Sequence, residues 1–229
     1  LEEEPEEELE EELEEEQPEL LLLNTELPSY AAQIGEVQYE SLADAVAAAQ
    51  AGDVISILVA DAYALPNLPV NVTVKGAVDG VVFNCEGSGS ICSVPNGATF
   101  ENVKFLMGQE NYHGFQHAGT INMKGCTLNG LFFSYGDMNF DGCKFYQTTT
   151  DYLMWLYAGN ITFKDCECYA NGKFFNVYNE ENGAWKISVE GCKFYSTKSN
   201  KAVFNIKETC GEEIDIDHIP IDDAETYAL

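Results

Sequence analysis

The chain has 229 residues, of which 39 are acidic and 11 are basic, so its formal net charge is -28. All the basic residues are Lys. This balance excludes a nucleic-acid binder and a protein held on anionic membranes, because phosphate groups are bound by clustered Lys and Arg. Apolar residues make up 45% and aromatic residues 12% of the chain, which predicts a folded domain with a sizeable core.

The acidic residues are concentrated near the N-terminus, where residues 1–19 hold 13 of the 39. Such a block repels itself and has little to bury, so we expect an acidic low-complexity spacer over residues 1–29. The four Leu at 20–23 fall far short of the roughly 18 apolar residues that span a membrane, and we expect no membrane insertion. The chain opens with neither Met nor a basic-then-apolar leader, and we expect that a secretion signal has been removed.

Residues 30–58 read as an N-terminal cap made of a helix and a first strand. Ser41 is the expected N-cap, Asp44 faces the helix N-terminus, and Gly52 stops a helix of about ten residues. An apolar strand, 54–58, follows. The apolar face of the helix is formed by Leu42, Ala45, Val46 and Ala49.

The remainder, residues 59–229, contains an eight-residue motif that occurs seven times. The copies lie at 72–79, 98–105, 121–128, 138–145, 161–168, 187–194 and 214–221. Their starts are separated by 26, 23, 17, 23, 26 and 27 residues, so the motif is constant while the connecting segments vary in length. This combination is typical of a solenoid, in which coils stack and insertions point outward.

Positions one, three, six and eight of the motif are apolar, with Asp79 as the exception, and we expect them to point inward. Alternation in a strand has a period of two, so the step of three between positions three and six requires a bend. Position five holds the residue types that best tolerate a left-handed backbone. These residues are Gly76, Asn102, Gly125, Gly142, Asp165, Gly191 and His218.

The fourth position carries charges whose sign alternates from one copy to the next for six copies. Equivalent residues of stacked coils lie about 4.8 Å apart, where opposite charges attract. The alternation therefore predicts that consecutive copies are neighbours. The residues are Lys75, Glu101, Lys124, Asp141, Lys164, Glu190 and Asp217.

A third strand follows in most coils, at 131–135, 152–157, 173–178 and 202–207. With three strands per coil and Gly or Asn at the corners, the chain resembles the right-handed parallel β-helix of the pectin-lyase-like superfold. The opening, 34–58, is similar to the start of β-helical segments in surface proteins of gut Firmicutes. The fold class that this resemblance implies is all-β, a right-handed parallel β-helix (solenoid) with a short N-terminal capping helix.

Enzymes that share this fold need residues that the chain lacks. Pectate lyases generally pair calcium-binding acids with a basic residue, usually Arg, and polygalacturonases use Gly-His-Gly and Arg-x-Lys motifs. The only lyase-like grouping is Lys124 with Asp141 and Lys164, which the alternation of charges explains better. We therefore predict no catalytic residue. The alternative is an atypical polysaccharide lyase or glycoside hydrolase.

Half of the eight Cys occupy the inward sixth position, namely Cys126, Cys143, Cys166 and Cys192. Side chains stacked in parallel register match poorly the Cβ separation of about 3.8 Å that a disulfide needs. We expect a ladder of buried thiols that behave as small apolar side chains. Cys85 and Cys92 are the best candidates for a disulfide, and the states of Cys168 and Cys210 stay open.

Two other groups of residues could hold a metal ion. His113 and His117 have the spacing of a helical metal pair, but no third ligand is evident, so a plain loop is favoured. Asp215 and Asp217 suggest calcium, yet the neighbouring Ile residues take the inward positions and leave these acids on an ordinary solvated face. We predict neither a metal nor a cofactor.

The third strands offer an exposed aromatic strip, formed by Phe132, Trp155, Tyr157, Phe174 and Tyr178 if Met154 and Leu156 point inward. Such a strip can stack on sugar rings or contact a protein. A register shifted by one residue would reverse these faces. We predict an extracellular or cell-surface bacterial protein that acts as an adhesin-like binding or structural module, with a glycan or a surface protein as its partner.

Overall fold

A computed structural model of the protein describes residues 30–85, 91–94, 97–108, 114–117, 119–177, 186–198, 202–206, 213–216 and 221–223. The predictions for Tyr178, His113, Cys210, Asp217, His218 and the spacer 1–29 concern residues outside the described ranges.

The described chain is built almost entirely of short strands. In chain order they are β1 (Ala32–Ile34), β2 (Val37–Tyr39), then the helix α1 (Leu42–Ala48), β3 (Val54–Ile57), β4 (Ala62–Ala64), β5 (Val72–Gly76), β6 (Val82–Cys85), β7 (Ile91–Val94), β8 (Ala98–Glu101), β9 (Lys104–Met107), β10 (Gly114–His117), β11 (Ile121–Lys124), β12 (Thr127–Asn129), β13 (Phe132–Tyr135), β14 (Met138–Asp141), β15 (Lys144–Tyr146), β16 (Met154–Ala158), β17 (Asn160–Lys164), β18 (Glu167–Ala170), β19 (Lys173–Val177), β20 (Lys186–Glu190), β21 (Lys193–Ser196), β22 (Ala202–Ile206), β23 (Glu213–Ile216) and β24 (Ile221–Asp223).

These strands form three sheets. Sheet 1 has ten strands in the order β2-β1-β3-β5-β8-β11-β14-β17-β20-β23. Sheet 2 has eight, from β4 through β6, β9, β12, β15, β18 and β21 to β24. Sheet 3 has six, from β7 through β10, β13, β16 and β19 to β22. Because each coil gives its strands to the three sheets in turn and the coils pair in parallel, the predicted parallel β-helix is confirmed.

The predicted register holds in sheet 1 and, from the second copy onward, in sheet 2. Ile121 of β11 lies opposite Ala98 of β8 and Met138 of β14, as the gapless alignment requires. At the last copy, Ile214 lies opposite Ile187. The inward positions are buried, and aromatic rings stack along the interior, with Phe140 and Phe163 5.0 Å apart.

The corner between sheet 1 and sheet 2 is the predicted left-handed residue in five coils. The φ angle is 53° at Asn102, 60° at Gly125, 61° at Gly142, 51° at Asp165 and 64° at Gly191. The corner N–H groups still pair between coils, since the Gly125 N–H donates to the Asp141 carbonyl at 2.8 Å. The bend therefore turns the chain without breaking the stack.

The first copy departs from the prediction, because it contains an insertion. Val82 lies opposite Lys104, which places Val81, only 1% exposed, in the inward sixth position. Ala77 is exposed, and the left-handed corner is Gly80, with φ 87°, rather than Gly76. Four residues, 77–80, thus bulge outward, and Asp79 no longer violates the inward pattern.

The N-terminal segment contains the predicted helix and the strand that follows it. β1 pairs antiparallel with β2 and with β3, and β3 starts the parallel stack by pairing with β5. In α1, the Ser41 Oγ accepts a hydrogen bond from the Asp44 N–H at 3.1 Å, as predicted. The helix has seven residues rather than ten, since the Asp53 carboxylate captures the Gln50 N–H at 2.7 Å and the backbone at Ala49 is extended.

Candidate functional site

An outward aromatic surface lies on sheet 3. Phe133 of β13 lies opposite Trp155 of β16, and their ring centroids are 5.7 Å apart with planes 21° from parallel. Tyr135 and Tyr157 follow two residues further along the same strands, 5.2 Å apart. Trp155, Tyr135 and Tyr157 are half-buried, while Phe133 is 5% exposed. These four residues are called the aromatic surface below.

The structure corrects two of the five residues predicted for this strip. Trp155 and Tyr157 lie outside the core, as expected of outward positions, and their role in binding stays a prediction. Phe132 is 1% exposed and packs edge-on against Phe140 at 6.2 Å, so its predicted outward orientation is wrong. Phe174 is fully buried against Phe194 at 5.1 Å, and its prediction is wrong as well.

The physical reason for the first error is a polar residue in an inward position. Ser134 is fully buried, because its Oγ donates to the Gly136 carbonyl at 3.2 Å. With Ser134 inward, Phe132 also points inward and Phe133 outward. The predicted strip therefore missed Phe133 and Tyr135. The outward residues are identified by the strand register, which places Phe133 opposite Trp155, and not by their apolar character.

Polar groups border the aromatic surface. The Tyr152 ring meets Trp155 edge-on at 6.0 Å, and the Lys173 ammonium lies 5.4 Å from the Tyr152 centroid. Gln147 fixes the segment before Tyr152: it accepts from the Asn171 N–H at 2.6 Å and donates to the Asp151 carbonyl. A ligand stacked on these rings would therefore lie next to the Lys173 ammonium and next to the segment that Gln147 holds by hydrogen bonds.

Amide side chains continue the outward column beyond Trp155. Asn176 lies opposite Trp155, and Asn205 lies opposite Asn176. The Asn205 Nδ2 donates to the Asn176 Oδ1 at 2.6 Å. Rings on two coils and amides on the next two thus form one continuous outward column on sheet 3.

Sheet 2 carries a second aromatic column, which the sequence analysis did not anticipate. Tyr146, Tyr169 and Tyr195 lie opposite one another, with neighbouring rings 4.8 and 4.7 Å apart and within 12° of parallel. The Tyr169 hydroxyl donates to the Glu167 carboxylate at 3.0 Å. Partial burial, together with this hydrogen bond, raises the pKa of Tyr169.

Glu167 is the centre of a charge column next to these tyrosines. Its carboxylate lies 3.2 Å from the Lys144 Nζ and 3.9 Å from the Lys193 Nζ. Burial acts to raise the pKa of Glu167, but the hydrogen bonds from Tyr169 and Lys144 and the positive charges outweigh it, so the pKa is lowered. On sheet 1, the predicted alternation gives an ion pair between Lys124 and Glu101 at 3.2 Å.

The four sixth-position thiols form the predicted buried ladder and are at most 6% exposed. They also make hydrogen bonds, which distinguishes them from purely apolar side chains: the Cys126 Sγ donates to the Phe100 carbonyl at 3.4 Å, and the Cys143 Sγ donates to the Met123 carbonyl at 3.3 Å. Hydrogen bonds with Cys126 and Cys166, together with burial, raise the pKa of Cys143. A buried thiol with a raised pKa, such as Cys143, is a poor nucleophile and metal ligand.

Burial raises the pKa of Cys168, which is fully enclosed. Cys85 is buried at the end of β6 and belongs to the core cluster. The side chain of Cys92 lies outside the described part of the chain, so the candidate disulfide between the two stays a prediction.

The described residues contain no group of three or more His, Cys, Asp or Glu side chains that could hold a metal ion. His117 and Asp215 lie in β10 and β23. Lys124, a member of the lyase-like grouping, is engaged with Glu101. No helix in the described ranges is long and apolar enough to cross a membrane.

The fold and its outward columns define a parallel β-helix with one aromatic face on sheet 3 and another on sheet 2. No protein-family model, no curated protein and no solved structure matches the chain.

Proposed function

We propose that the protein is a non-catalytic, adhesin-like module that binds a carbohydrate through the aromatic surface. The observation that carries this proposal is the alignment of Phe133 and Trp155 on neighbouring strands, with Tyr135 and Tyr157 beside them. Half-buried Trp and Tyr rings offer apolar area together with a polar edge, and they are already ordered before a ligand arrives.

The chemistry of the border supports a polyhydroxylated ligand. Sugar rings have apolar C–H faces that stack on aromatic rings and hydroxyl groups that need hydrogen-bond partners. Asn205 is an exposed amide in the same outward column, and the Lys173 ammonium lies over the ring of Tyr152, which contacts Trp155. Rings and polar groups therefore occur on one face at the spacing of successive coils.

The finer class and the location are part of the same proposal. The Gly and Asn corners favour kinship with the pectin-lyase-like β-helices, and an acidic spacer before a solenoid suits a secreted or surface-attached bacterial protein. A rigid stack of coils presents its outward columns without reorganisation, which is useful to a protein that binds rather than catalyses.

A glycan array tests the proposal with three proteins: the intact chain, Trp155→Ala and Tyr195→Ala. Tyr195 is a half-buried outward tyrosine on sheet 2, so its removal is the matched control. We expect saturable glycan binding that Trp155→Ala reduces at least tenfold and Tyr195→Ala leaves unchanged. An array without signal for the intact protein, or equal binding by Trp155→Ala, would contradict the proposal.

The same preparation separates binding from catalysis. Incubated with a panel of acidic and neutral polysaccharides, the intact protein is expected to release neither reducing ends nor unsaturated products. Release of either product would favour the alternative of an atypical lyase or hydrolase.

A further inference from the structure

The four-residue insertion at the first corner forms a notch that is separate from the aromatic surface on sheet 3. Residues 77–80 bulge between sheet 1 and sheet 2, and beside them lies a cavity of about 790 Å³. It is lined by the left-handed corners Asn102 and Gly125 of the next two coils and by Lys75 and Lys104. A volume of this size is typical of small-molecule sites.

The two lysines of the notch are in an unusual environment. Lys75 and Lys104 are half-buried, and neither forms an ion pair with any described residue. By contrast, the lysines that do form ion pairs are more exposed: the side chains of Lys124, Lys144 and Lys193 are 56%, 51% and 61% accessible. No acidic side chain of the described chain therefore takes up their positive charges.

The acidic residues next to these lysines are either engaged elsewhere or exposed. Glu101, which lies opposite Lys75 in register, is 3.2 Å from the Lys124 Nζ. Asp79 is the one acidic residue that lines the cavity, and it is exposed. Two positive charges thus face one exposed negative charge in a chain that is otherwise acidic.

The backbone of the insertion adds hydrogen-bond donors. The N–H groups of Val78, Asp79 and Gly80 have no acceptor among the described residues, whereas the neighbouring Ala77 N–H donates to the Ile57 carbonyl at 2.9 Å. Successive N–H groups next to a left-handed residue, here Gly80, form concavities that suit anions.

We propose that this notch binds the oxyanion of a phosphate or sulfate group. Lys75 and Lys104 supply the positive charge, and the N–H groups of the insertion supply donors to the anion oxygens. The site lies on the corner between sheet 1 and sheet 2, so it is independent of carbohydrate binding on sheet 3.

The test is an NMR titration of the full ¹⁵N-labelled chain with inorganic phosphate, inorganic sulfate and glucose 6-phosphate, at constant ionic strength set with chloride. We expect saturable amide shifts at residues 75–80 and 104. The double variant Lys75→Gln, Lys104→Gln should weaken binding at least tenfold, and Asp79→Asn should strengthen it by removing a repulsive charge. Lys164→Gln changes an exposed lysine of the same column as Lys75 and should leave the affinity unchanged.

The outcomes separate cleanly. Tighter binding of glucose 6-phosphate than of inorganic phosphate supports the site and assigns it to an ester on a larger molecule, whereas the reverse order supports it and assigns it to the free anion. Absence of saturable shifts with all three probes overturns the proposal. So does equal weakening by Lys164→Gln, which would indicate unspecific attraction to surface charge. An unchanged amide spectrum in the absence of anion shows that each variant is folded.

Discussion

The close stacking of coils can be tested by adding one methyl group at two matched glycines. Gly142 and Gly159 both have left-handed backbones, with φ 61° and 93°. A Cβ on Gly142 would have no neighbouring atom within 4 Å. A Cβ on Gly159 would overlap the backbone of Gly136 in the preceding coil and lie 2.5 Å from the Asp137 N. The Asp137 carboxylate also fixes this corner, since it accepts from the Asn160 N–H at 2.7 Å.

The magnitudes follow from these surroundings. Replacing either glycine by Ala places a Cβ in the left-handed region, which costs roughly 1–2 kcal/mol. Ala also lowers the conformational entropy of the unfolded chain, which stabilises the folded state of both variants by about 0.4–1 kcal/mol. Only Gly159→Ala also forces two coils apart, and overpacking of this kind costs roughly 1–3 kcal/mol. The difference between the two variants therefore reports the contact between coils together with the greater backbone strain of a side chain at φ 93°.

Thermal unfolding followed by circular dichroism measures this difference. For a chain of 150–250 residues, 1 kcal/mol corresponds to about 2–4 °C in Tm, so we expect Gly159→Ala to unfold roughly 2–12 °C below Gly142→Ala. Gly142→Asn should stay close to the parent protein, because Asn tolerates this backbone as Asn102 does. Equal losses for the two Ala variants would refute the inferred packing of Gly159 against Gly136.

Three further predictions concern single side chains. Because the pKa of Glu167 is lowered in the folded state, its carboxylate stabilises the fold above the unfolded pKa of about 4.3, and this stabilisation is lost as pH falls through the folded pKa. Glu167→Gln should therefore make Tm depend less on pH on the acid side. Identical curves of Tm against pH for the variant and the parent protein would contradict this. Phe174→Ala should cost about 3–5 kcal/mol in urea unfolding, and Tyr157→Ala clearly less, since only Phe174 is fully buried. Cys143 and Cys168 should resist iodoacetamide in the folded protein and react in guanidinium, as mapped by mass spectrometry; labelling of either under native conditions would contradict their burial.

The sequence predicted sheet 1, most of sheet 2 and the corners between them, because the residues that determine these features are close in sequence and recur from copy to copy. The five copies from 98–105 to 187–194 have the same spacing of apolar residues, and a left-handed residue such as Asn102 or Asp165 marks the same turn in each of them. The prediction was wrong for the first copy because Gly76 is a glycine at the motif position where the other copies have their left-handed residue. Its actual role is different: a Cβ on Gly76 would overlap the Asn102 carbonyl, so Gly is required there by the next coil rather than by its own φ angle.

Sheet 3 was harder to predict, because its strands follow connections of different length and have no shared corner residue. The pair Phe132 and Phe133 offers two apolar residues for one inward position, and Ser134 beside them reverses the choice that hydropathy favours. Phe174 and Phe175 pose the same ambiguity, and here both rings are buried at the start of β19. Contacts between coils decide these cases, and a single sequence does not contain them.

The outward columns of the three sheets differ in a way that bears on function. On sheet 1 and sheet 2, ion pairs such as Lys124 with Glu101 and Lys144 with Glu167 favour one register over its neighbours. The outward column on sheet 3 that contains Phe133, Trp155, Asn176 and Asn205 carries no charge. Register there is already set by the other two sheets, because all three are strands of the same coils. The rings and amides of sheet 3 are therefore not needed to set the register, which is consistent with the proposal that Trp155 binds a ligand on that face.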